Sequence, residues 1–359
     1  MKKHLYIIAL LTLILVIGGC QTSTGAKKNN TLNTSDQAIA LDEGVKATDY
    51  YPFYENKIYE YEGIGNEYAE QKVFVEFIDD NKAQLKIMNP GTNIIKIVEY
   101  KDGALSEVYS EGEFYHIENM LNVKADKENI ILKEPIAVGN SWSTEDGDTK
   151  EITNLDKPID TPYGQFKALE TVTKYKDGGI EKEYYVKNIG LVARIFGSEG
   201  DEIETLLNSI EAKPLEHVSQ FFYPLYSDVG SVYLEDKILF YTNQSIEKLF
   251  EEKLKNVPSN ELIAPLAKDI KINSIHFDRT NKWTVKVDFS KELLMNTKEG
   301  TALESEVLKS IVNTFGKFYD SERVYISVNG VPYESGHFAM ESEEGFLVDT
   351  EGIEEFVIK

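Results

Sequence analysis

The sequence predicts an α+β protein in which an N-terminal antiparallel β-sheet domain is followed by a small α/β domain. The first observation is an alternation of apolar and polar residues between 50 and 209, interrupted by turn residues, which is typical of antiparallel strands with one wet face. The second is the helical spacing of apolar residues in two later segments. The third is a hydrophobic fraction of 42% in a chain of 359 residues, which is sufficient for packed cores.

Residues 1–19 have the layout of a secretion signal. Lys2 and Lys3 form a basic head, an apolar run follows, and the segment closes in the order LVIGGC. This stretch resembles a bacterial lipoprotein signal peptide with its lipobox. The resemblance implies cleavage between Gly19 and Cys20, and a diacylglycerol with palmitate-type chains on Cys20 that anchors the protein on the extracytoplasmic face of the cell membrane. The alternative is a transmembrane anchor, for which the apolar run is short.

Residues 20–48, which begin with Cys20, are polar and lack an apolar period. This composition predicts a flexible tether. Cys20 is the only cysteine, so its lipidation would leave no thiol for a disulfide or for catalysis. The formal net charge of −23 argues against nucleic acid as a partner, because such a surface repels phosphate.

The predicted β-sheet domain covers residues 49–210, where turn sequences such as DDNK, NPGT and KDGG separate alternating runs. The candidate strands are 57–61, 72–78, 83–88, 94–101, 105–110, 130–133, 166–175, 180–186 and 191–196. The alternation lapses at 211–229, where aromatic residues cluster between two prolines. We interpret this interval as an inter-domain linker whose aromatic side chains pack between the domains.

The predicted α/β domain covers residues 230–345. A strand at 232–241 leads into a helix whose apolar residues recur at helical spacing behind Asn243, the candidate N-cap. A hairpin follows. The inward-facing candidates on its second strand are Trp283, Val285, Val287 and Phe289.

A second helix is predicted at 301–319, where an apolar stripe follows Thr301 and Glu304 at capping-box spacing. The next strand ends in an Asn329-Gly330 turn. Residues 346–359 are assigned to a C-terminal tail.

Three blocks of this region carry a family resemblance: VKVDFSKELL, GTALESEVLKSIVNTFGKF and ERVYISVNGVPYESGH. In this order and spacing they resemble the GerMN domain of the GerM family of spore germination and sporulation proteins. The resemblance implies a small α/β fold similar to ring-building motifs and a part in sporulation or germination. The signature positions are Val287, Asp288, Phe289, Ser290, Ser310, Val312, Asn313, Thr314, Gly330, Gly336 and His337.

The sequence offers no recognisable motif for metal, cofactor or nucleophile. The five histidines are scattered, and no HExxH motif, G-x-S-x-G elbow or glycine-rich phosphate loop occurs. We therefore expect no catalytic residue, no metal and no cofactor. His337 could bind a partner or act as acid or base, but a loop histidine with a local hydrogen bond is the simpler interpretation. Asp288 is interpreted as an acid that caps the next turn or helix start.

These observations favour a non-catalytic, lipid-anchored envelope protein that acts in sporulation or germination as an assembly or scaffolding component. Its expected partners are the membrane, through the lipid, and envelope or sporulation proteins, including copies of itself. Two alternatives stay open. One is participation in peptidoglycan remodelling or its regulation, and the other is the binding of an apolar ligand on a concave face of the β sheet.

Overall fold

The computed structural model of the protein describes residues 44–358, except 199, 228–229, 281–282, 297–300 and 341–343. The described residues all belong to one compact unit, Ala38–Lys359. The predicted signal peptide with Gly19, the lipidation site Cys20 and most of the predicted tether lie outside the described residues. Within the described part of the chain, no helix is both long and apolar enough to cross a membrane.

The first part of this unit is a twelve-stranded antiparallel sheet that curls and brings its two edge strands close to each other without pairing them. Its strands are β1 (Lys57–Ile64), β2 (Gln71–Asp79), β3 (Lys82–Met88), β4 (Asn93–Lys101), β5 (Ala104–Glu111), β6 (Asn129–Lys133), β7 (Ser141–Ser143), β8 (Thr149–Thr161), β9 (Gly164–Lys174), β10 (Ile180–Val186), β11 (Gly190–Ser198) and β12 (Asp201–Ala212). Two six-stranded meanders are joined where β1 pairs with β12, which leaves β6 and β7 at the edges. Between these two edge strands, the indole Nε1 of Trp142 in β7 donates to the carbonyl of Ile130 in β6 at 3.1 Å.

The nine candidate strands coincide with β1–β6 and β9–β11. The alternation does not predict β7, β8 or β12. In β8 the register shifts twice, between Ile152 and Asn154 and between Asn154 and Lys157, and each irregularity breaks the period of two. The coarse fold class is confirmed, because the described residues are mostly β and their α-helices all follow residue 245.

A two-stranded hairpin occupies much of the interval that the sequence assigns to a linker. β13 (Leu215–Pro224) pairs along its whole length with β14 (Ser231–Phe240). Phe221, Phe222 and Tyr223 are buried on both faces of β13. This second half of β13 is covered on both faces and has no alternation of apolar and polar residues, so the sequence pattern does not predict a strand there.

The rest of the chain adds a five-stranded sheet and three helices, and together with β13–β14 we call it the C-terminal module. Its elements are α1 (Ile246–Lys255), β15 (Ile272–Asp278), β16 (Thr284–Phe289), α2 (Glu292–Asn296), α3 (Thr301–Tyr319), β17 (Arg323–Val328), β18 (Val331–Pro332) and β19 (Phe346–Leu347). β16 is the central strand, antiparallel to β15 and parallel to β17. The two predicted helices and the central strand are confirmed.

Two local predictions in this module are wrong. The N-cap of α1 is Ser245, whose hydroxyl accepts from the backbone N–H of Lys248 at 3.3 Å. Asn243 lies outside the helix at φ +64°, and its side-chain oxygen accepts from the backbone N–H of Ile78 in β2 at 2.8 Å. Trp283 precedes β16 at φ +52° and is 59% exposed, whereas Val287 of that strand is fully buried.

The C-terminal module packs on the outer face of strands β1–β5. One hydrophobic cluster joins Phe74, Phe77 and Ile97 of the sheet to Phe240 and Phe277 of the module. The rings of Phe77 and Phe240 meet edge to face, with their centroids 5.4 Å apart. The two parts of the chain therefore share a core.

Charged residues are sealed inside this junction. Glu76 and Lys86, on the outer face of β2 and β3, are 0% and 1% exposed, and the Lys86 ammonium lies 3.2 Å from the Glu76 carboxylate. The same ammonium donates to the carbonyl of His116 at 2.5 Å, and the Gln84 amide donates to Glu76 at 2.7 Å. Because His116 lies in the loop between β5 and β6, this sealed charge group fixes that loop beneath the module.

The predicted C-terminal tail is integrated into the module. β19 pairs with β17, and the Asn313 side chain of α3 forms two hydrogen bonds with the backbone of Asp349, at 2.6 and 2.9 Å. Further on, the backbone of Tyr233 accepts from Phe356 at 2.8 Å. The chain after β19 therefore runs over α3 and back to β14.

Candidate functional site

The inner face of the curled sheet encloses a cavity of about 510 Å³, a size within the range of small-molecule sites. Strand residues alternate between faces, so the side chains of β2–β4 that turn away from the C-terminal module point into this space. The lining is amphipathic. Its aliphatic part contains Val73, Val75, Leu85, Ile87, Ile94 and Val98, and its aromatic part contains Tyr51, Tyr59, Tyr61, Tyr175 and Tyr185.

A first charge group of the lining is centred on Glu183 of β10. Its carboxylate contacts the ammonium of Lys150 and the guanidinium of Arg194, the latter at 3.0 Å, and it accepts from the hydroxyl of Tyr185 at 2.9 Å. Burial alone would raise the pKa of Glu183, but the charges of Lys150 and Arg194 outweigh burial and hold that pKa below its usual range. The carboxylate is therefore ionised and shared by two cations.

A second charge group repeats this arrangement around Glu107 of β5. The ammonium of Lys96 lies 2.7 Å and that of Lys127 3.5 Å from the Glu107 carboxylate. Lys127 also donates to the hydroxyl of Ser110 at 2.7 Å. One carboxylate facing two lysines leaves a surplus of one positive charge in this part of the cavity.

Glu181 lies two residues before Glu183 on the same side of β10. Burial raises the pKa of Glu181, the neighbouring negative charge of Glu183 raises it further, and Arg194 opposes both. The protonated form of Glu181 is thereby favoured more than for an ordinary glutamate. None of the described residues that line the cavity is a serine, cysteine or histidine. The cavity is thus equipped to hold a ligand by charge and apolar contact.

The signature residues of the C-terminal module lie apart from this cavity. Val287, Phe289 and Val312 are core residues, buried between β16 and α3. Thr314 is also buried, and its hydroxyl accepts from the backbone N–H of Phe222 at 3.0 Å. These four positions hold the fold together.

Three polar signature residues bind neighbouring segments. The hydroxyl of Ser290 accepts from the backbone N–H of Lys271 at 3.0 Å, and that of Ser310 lies 3.3 Å from the hydroxyl of Ser231. Asn313 holds the backbone near β19, as described above. Each side chain connects elements that are distant in sequence.

Asp288 lies on the opposite side of β16 from Val287. Its carboxylate accepts from the hydroxyl of Ser327 at 2.6 Å, from the backbone N–H of Gly330 at 2.7 Å and from the amide of Asn273 at 2.8 Å. Burial raises the pKa of Asp288, but these donors outweigh burial and lower it. The acid thus holds the turn at Gly330, where φ is +78°, and its three contacts are structural.

His337 and Gly336 lie beside a cleft of about 670 Å³ near the end of β18. The ring Nδ1 of His337 is 3.0 Å from the carboxylate of Glu304 in α3, and Glu304 accepts from the hydroxyl of Tyr333 at 2.9 Å. Burial raises the pKa of Glu304, but donors from Ser335, His337 and Tyr333 lower it overall. The side chain of Glu304 thus contacts Tyr333 and His337. Its capping-box spacing from Thr301 does not predict these contacts.

The structure also brings together two histidines that are distant in sequence. His116 Nε2 and His276 Nδ1 lie 3.5 and 3.6 Å from the carboxylate of Glu118. That carboxylate also pairs with Arg279 of the module at 2.9 Å. Among the described residues, no group of His, Cys, Asp and Glu side chains has an arrangement that could hold a metal ion.

One protein-family model matches most of the C-terminal module. Residues 223–334 match the family model Germane, described as sporulation and spore germination. This match confirms the resemblance of the three sequence blocks. No curated protein matches the chain.

Three solved structures are similar to parts of the chain. The tandem GerMN domains of the sporulation protein GerM from Bacillus subtilis share 14% identity over 36% of this chain and 46% of theirs, with a TM-score of 0.28. A candidate exported protein with a YmcC-like fold from Bacteroides fragilis shares 14% identity over 45% of this chain and 97% of its own, with a TM-score of 0.27. A candidate lipoprotein from Parabacteroides distasonis shares 15% over 45% and 97%, with a TM-score of 0.23. The chain spans less than half the length of the tandem GerM structure.

Proposed function

Because residues 223–334 form a GerMN-type domain, we propose that this chain is a non-catalytic, lipid-anchored envelope protein that acts in sporulation or spore germination. The Germane match is the observation that carries this proposal. In it, Cys20 holds the lipid, the tether spaces the folded unit from the membrane, and the C-terminal module contacts other envelope proteins as an assembly component.

The edges of the five-stranded sheet are occupied, which restricts how a partner reaches the module. On β15, the backbone N–H groups of Ile272 and Phe277 donate to the carboxylates of Glu251 and Glu118, at 2.9 and 3.2 Å. On the other side, β17 is paired at its two ends by β18 and β19. Strand addition, a common mode of association for exposed edges, is therefore disfavoured here.

The side chains around the 670 Å³ cleft offer the alternative contact surface. Val331 is 63% exposed, and the side chain of His337 is 46% exposed while its Nδ1 is held by Glu304. Val331 and His337 thus give this cleft one exposed apolar group and one oriented polar group for contact with another protein. We assign the partner surface to this cleft.

The function is tested by deleting the gene and restoring it with the natural chain or with Cys20→Ala. The natural chain is expected to restore the yield of heat-resistant spores and the rate of germination. Cys20→Ala is expected to move the protein from the membrane fraction to the soluble fraction and to fail in restoration. Normal sporulation and germination of the deletion strain would overturn the proposal.

The partner surface is tested by capture of cross-linked proteins from sporulating cells. Val331→Asp is expected to lose the captured envelope proteins, whereas Tyr226→Asp should retain them, because Tyr226 is 77% exposed and does not line the cleft. Equal capture by both variants would remove the cleft from consideration. Equal thermal unfolding of the two variants serves as the control for folding.

A further inference from the structure

The exposure of the charged groups in the cavity of the curled sheet points to a second, separate site. The side chains of Lys96 and Lys127 keep 32% and 27% of their surface exposed, whereas the Glu107 carboxylate between them keeps 10%. Arg194 keeps 36%, against 6% for its partner Glu183. Lys96, Lys127 and Arg194 are therefore accessible, whereas Lys150 is buried at 8% together with Glu183.

We propose that this cavity binds a single-chain anionic amphiphile, with its carboxylate or phosphate at Lys96 and Lys127 and its aliphatic chain against the apolar lining. The surplus positive charge at Glu107 supplies the attraction for the head. An anion there completes a set of charge-assisted hydrogen bonds that one carboxylate cannot provide for two ammonium groups. This positive character is confined to Lys96 and Lys127, because the cavity lining as a whole carries six acids, Glu107, Glu145, Asp146, Asp148, Glu181 and Glu183, against four bases, Lys96, Lys127, Lys150 and Arg194.

The remaining lining accounts for the rest of the ligand. Val73, Ile87 and Ile94 are half-buried residues of the lining, so they have apolar surface still to be covered. At about 30 Å³ per water molecule, the 510 Å³ of the cavity holds roughly 17 groups of that size. That volume suits one aliphatic chain with its head.

A fluorescence titration with cis-parinaric acid and with its methyl ester tests the proposal. The protein is the chain from residue 20 onward with Cys20→Ser, so that its own lipid is absent. Saturable binding of one acid per chain is expected, with the ester bound about tenfold more weakly, because a hydrogen bond to a charged group contributes about 1.5–3 kcal/mol. Equal affinity for acid and ester, or no saturable binding, overturns the proposal.

Variants locate the site. Lys96→Met with Lys127→Met keeps the length of both side chains and is expected to reduce affinity for the acid to that for the ester. Lys167→Met is the matched control, because Lys167 is 72% exposed in a surface pair outside the cavity, and it should leave both affinities unchanged. An unchanged affinity of the double variant for the acid overturns the proposal.

A filling variant and a competition complete the test. Ile87→Trp should abolish binding of both probes while cooperative thermal unfolding is retained, and retained binding in this folded variant contradicts the site. Displacement of the probe by oleate identifies a free fatty acid as the preferred source of the anion. Displacement by lysophosphatidylglycerol identifies a lipid headgroup, and displacement by neither overturns the proposal.

Discussion

The two faces of strands β2–β5 carry charged residues in opposite situations. On the outer face, the side chains of Lys86 and Glu76 are 2% and 0% exposed and one cation meets one carboxylate. On the inner face, Lys96 is 32% exposed and shares Glu107 with a second lysine. The same alternation along the strands produces both faces, so the difference comes from what covers them.

The outer charges are completed by the protein itself. The Lys86 ammonium has a carboxylate and a backbone carbonyl, and Gln84 fills further positions around Glu76. On the inner face, Lys96 and Lys127 outnumber the Glu107 carboxylate between them and reach open space. A buried charge whose partners are all supplied by the protein indicates a structural role, whereas a surplus charge at a cavity indicates a site for a ligand.

The largest effect is expected where a charge is introduced without any partner. Val287→Asp places a carboxylate in the buried core beside Phe289 and Phe315, and we expect it to unfold the C-terminal module, at a cost of about 5 kcal/mol or more. Loss of near-ultraviolet circular dichroism checks this. Val287→Ala, which removes volume without adding charge, should cost only about 2–3 kcal/mol, and equal losses would contradict the role of charge.

The next largest effect is expected from Glu76→Ala, which leaves Lys86 buried without its carboxylate. Such a change costs about 3–5 kcal/mol, measured as the shift in urea unfolding. Asp156→Ala is the control, because it breaks an ion pair whose side chains are 72% and 64% exposed and should cost at most about 1 kcal/mol. If the two variants lost the same stability, the sealed pair would not be structural.

An intermediate effect concerns pH. Burial lowers the pKa of His217 from 6.5 to about 4, and the nearby positive charge of Lys86 acts in the same direction. The folded protein binds a proton at His217 less readily than the unfolded chain does. The contribution of His217 to the free energy of unfolding is therefore fully present above pH 6.5 and is lost as the pH falls toward 4. At about 1.4 kcal/mol per pKa unit, His217 removes up to about 3 kcal/mol.

Denaturation curves between pH 7 and pH 4 check this on His217→Phe. That variant keeps the ring that packs on Phe318, at a centroid distance of 4.9 Å, and is expected to lose less stability than the natural chain on acidification. His276→Phe is the control, because the His276 side chain is 67% exposed. A natural chain and a His217→Phe variant with parallel pH profiles would disprove the assignment.

The smallest effect is expected from Asp288→Ala, whose partners are neutral donors at a half-buried turn. Loss of its contacts to Ser327, Gly330 and Asn273 should cost about 1–3 kcal/mol and leave helicity intact. Asn273→Ala, which removes one of the three, should cost less. Loss of sporulation function in Asp288→Ala, with helicity and unfolding temperature preserved, would assign this acid a role beyond the turn.

The sequence predicted the elements whose side chains face two different environments. Nine strands of the sheet and the helices α1 and α3 follow from such periodicity. It did not predict β13, whose second half is covered on both faces, or β8, whose bulges interrupt the period. The alternation of β16 predicts an inward Trp283, but this residue has a positive φ and lies outside the strand.

The candidate sites followed a similar division. The family blocks identified Asp288 and His337, and both contact residues of the C-terminal module, Ser327 and Glu304 respectively. The cavity charges were not predicted, because Lys96, Glu107 and Lys127 come from different strands and a loop, and only the curl of the sheet brings them together. The contacts of Glu304 with Tyr333 and His337 were not predicted either, because its spacing from Thr301 in α3 is that of a capping box.

The sealed pair of Glu76 and Lys86 also bears on the stage of synthesis when β1–β5 exist but the C-terminal module does not. At that stage Phe74 and Phe77 lie on a face without its later cover. Charges interspersed in such a face act as gatekeepers against aggregation. Replacing the pair with leucine and methionine would therefore have little effect on the stability of the folded protein but would increase aggregation of the nascent chain. This aggregation would be observed as inclusion bodies.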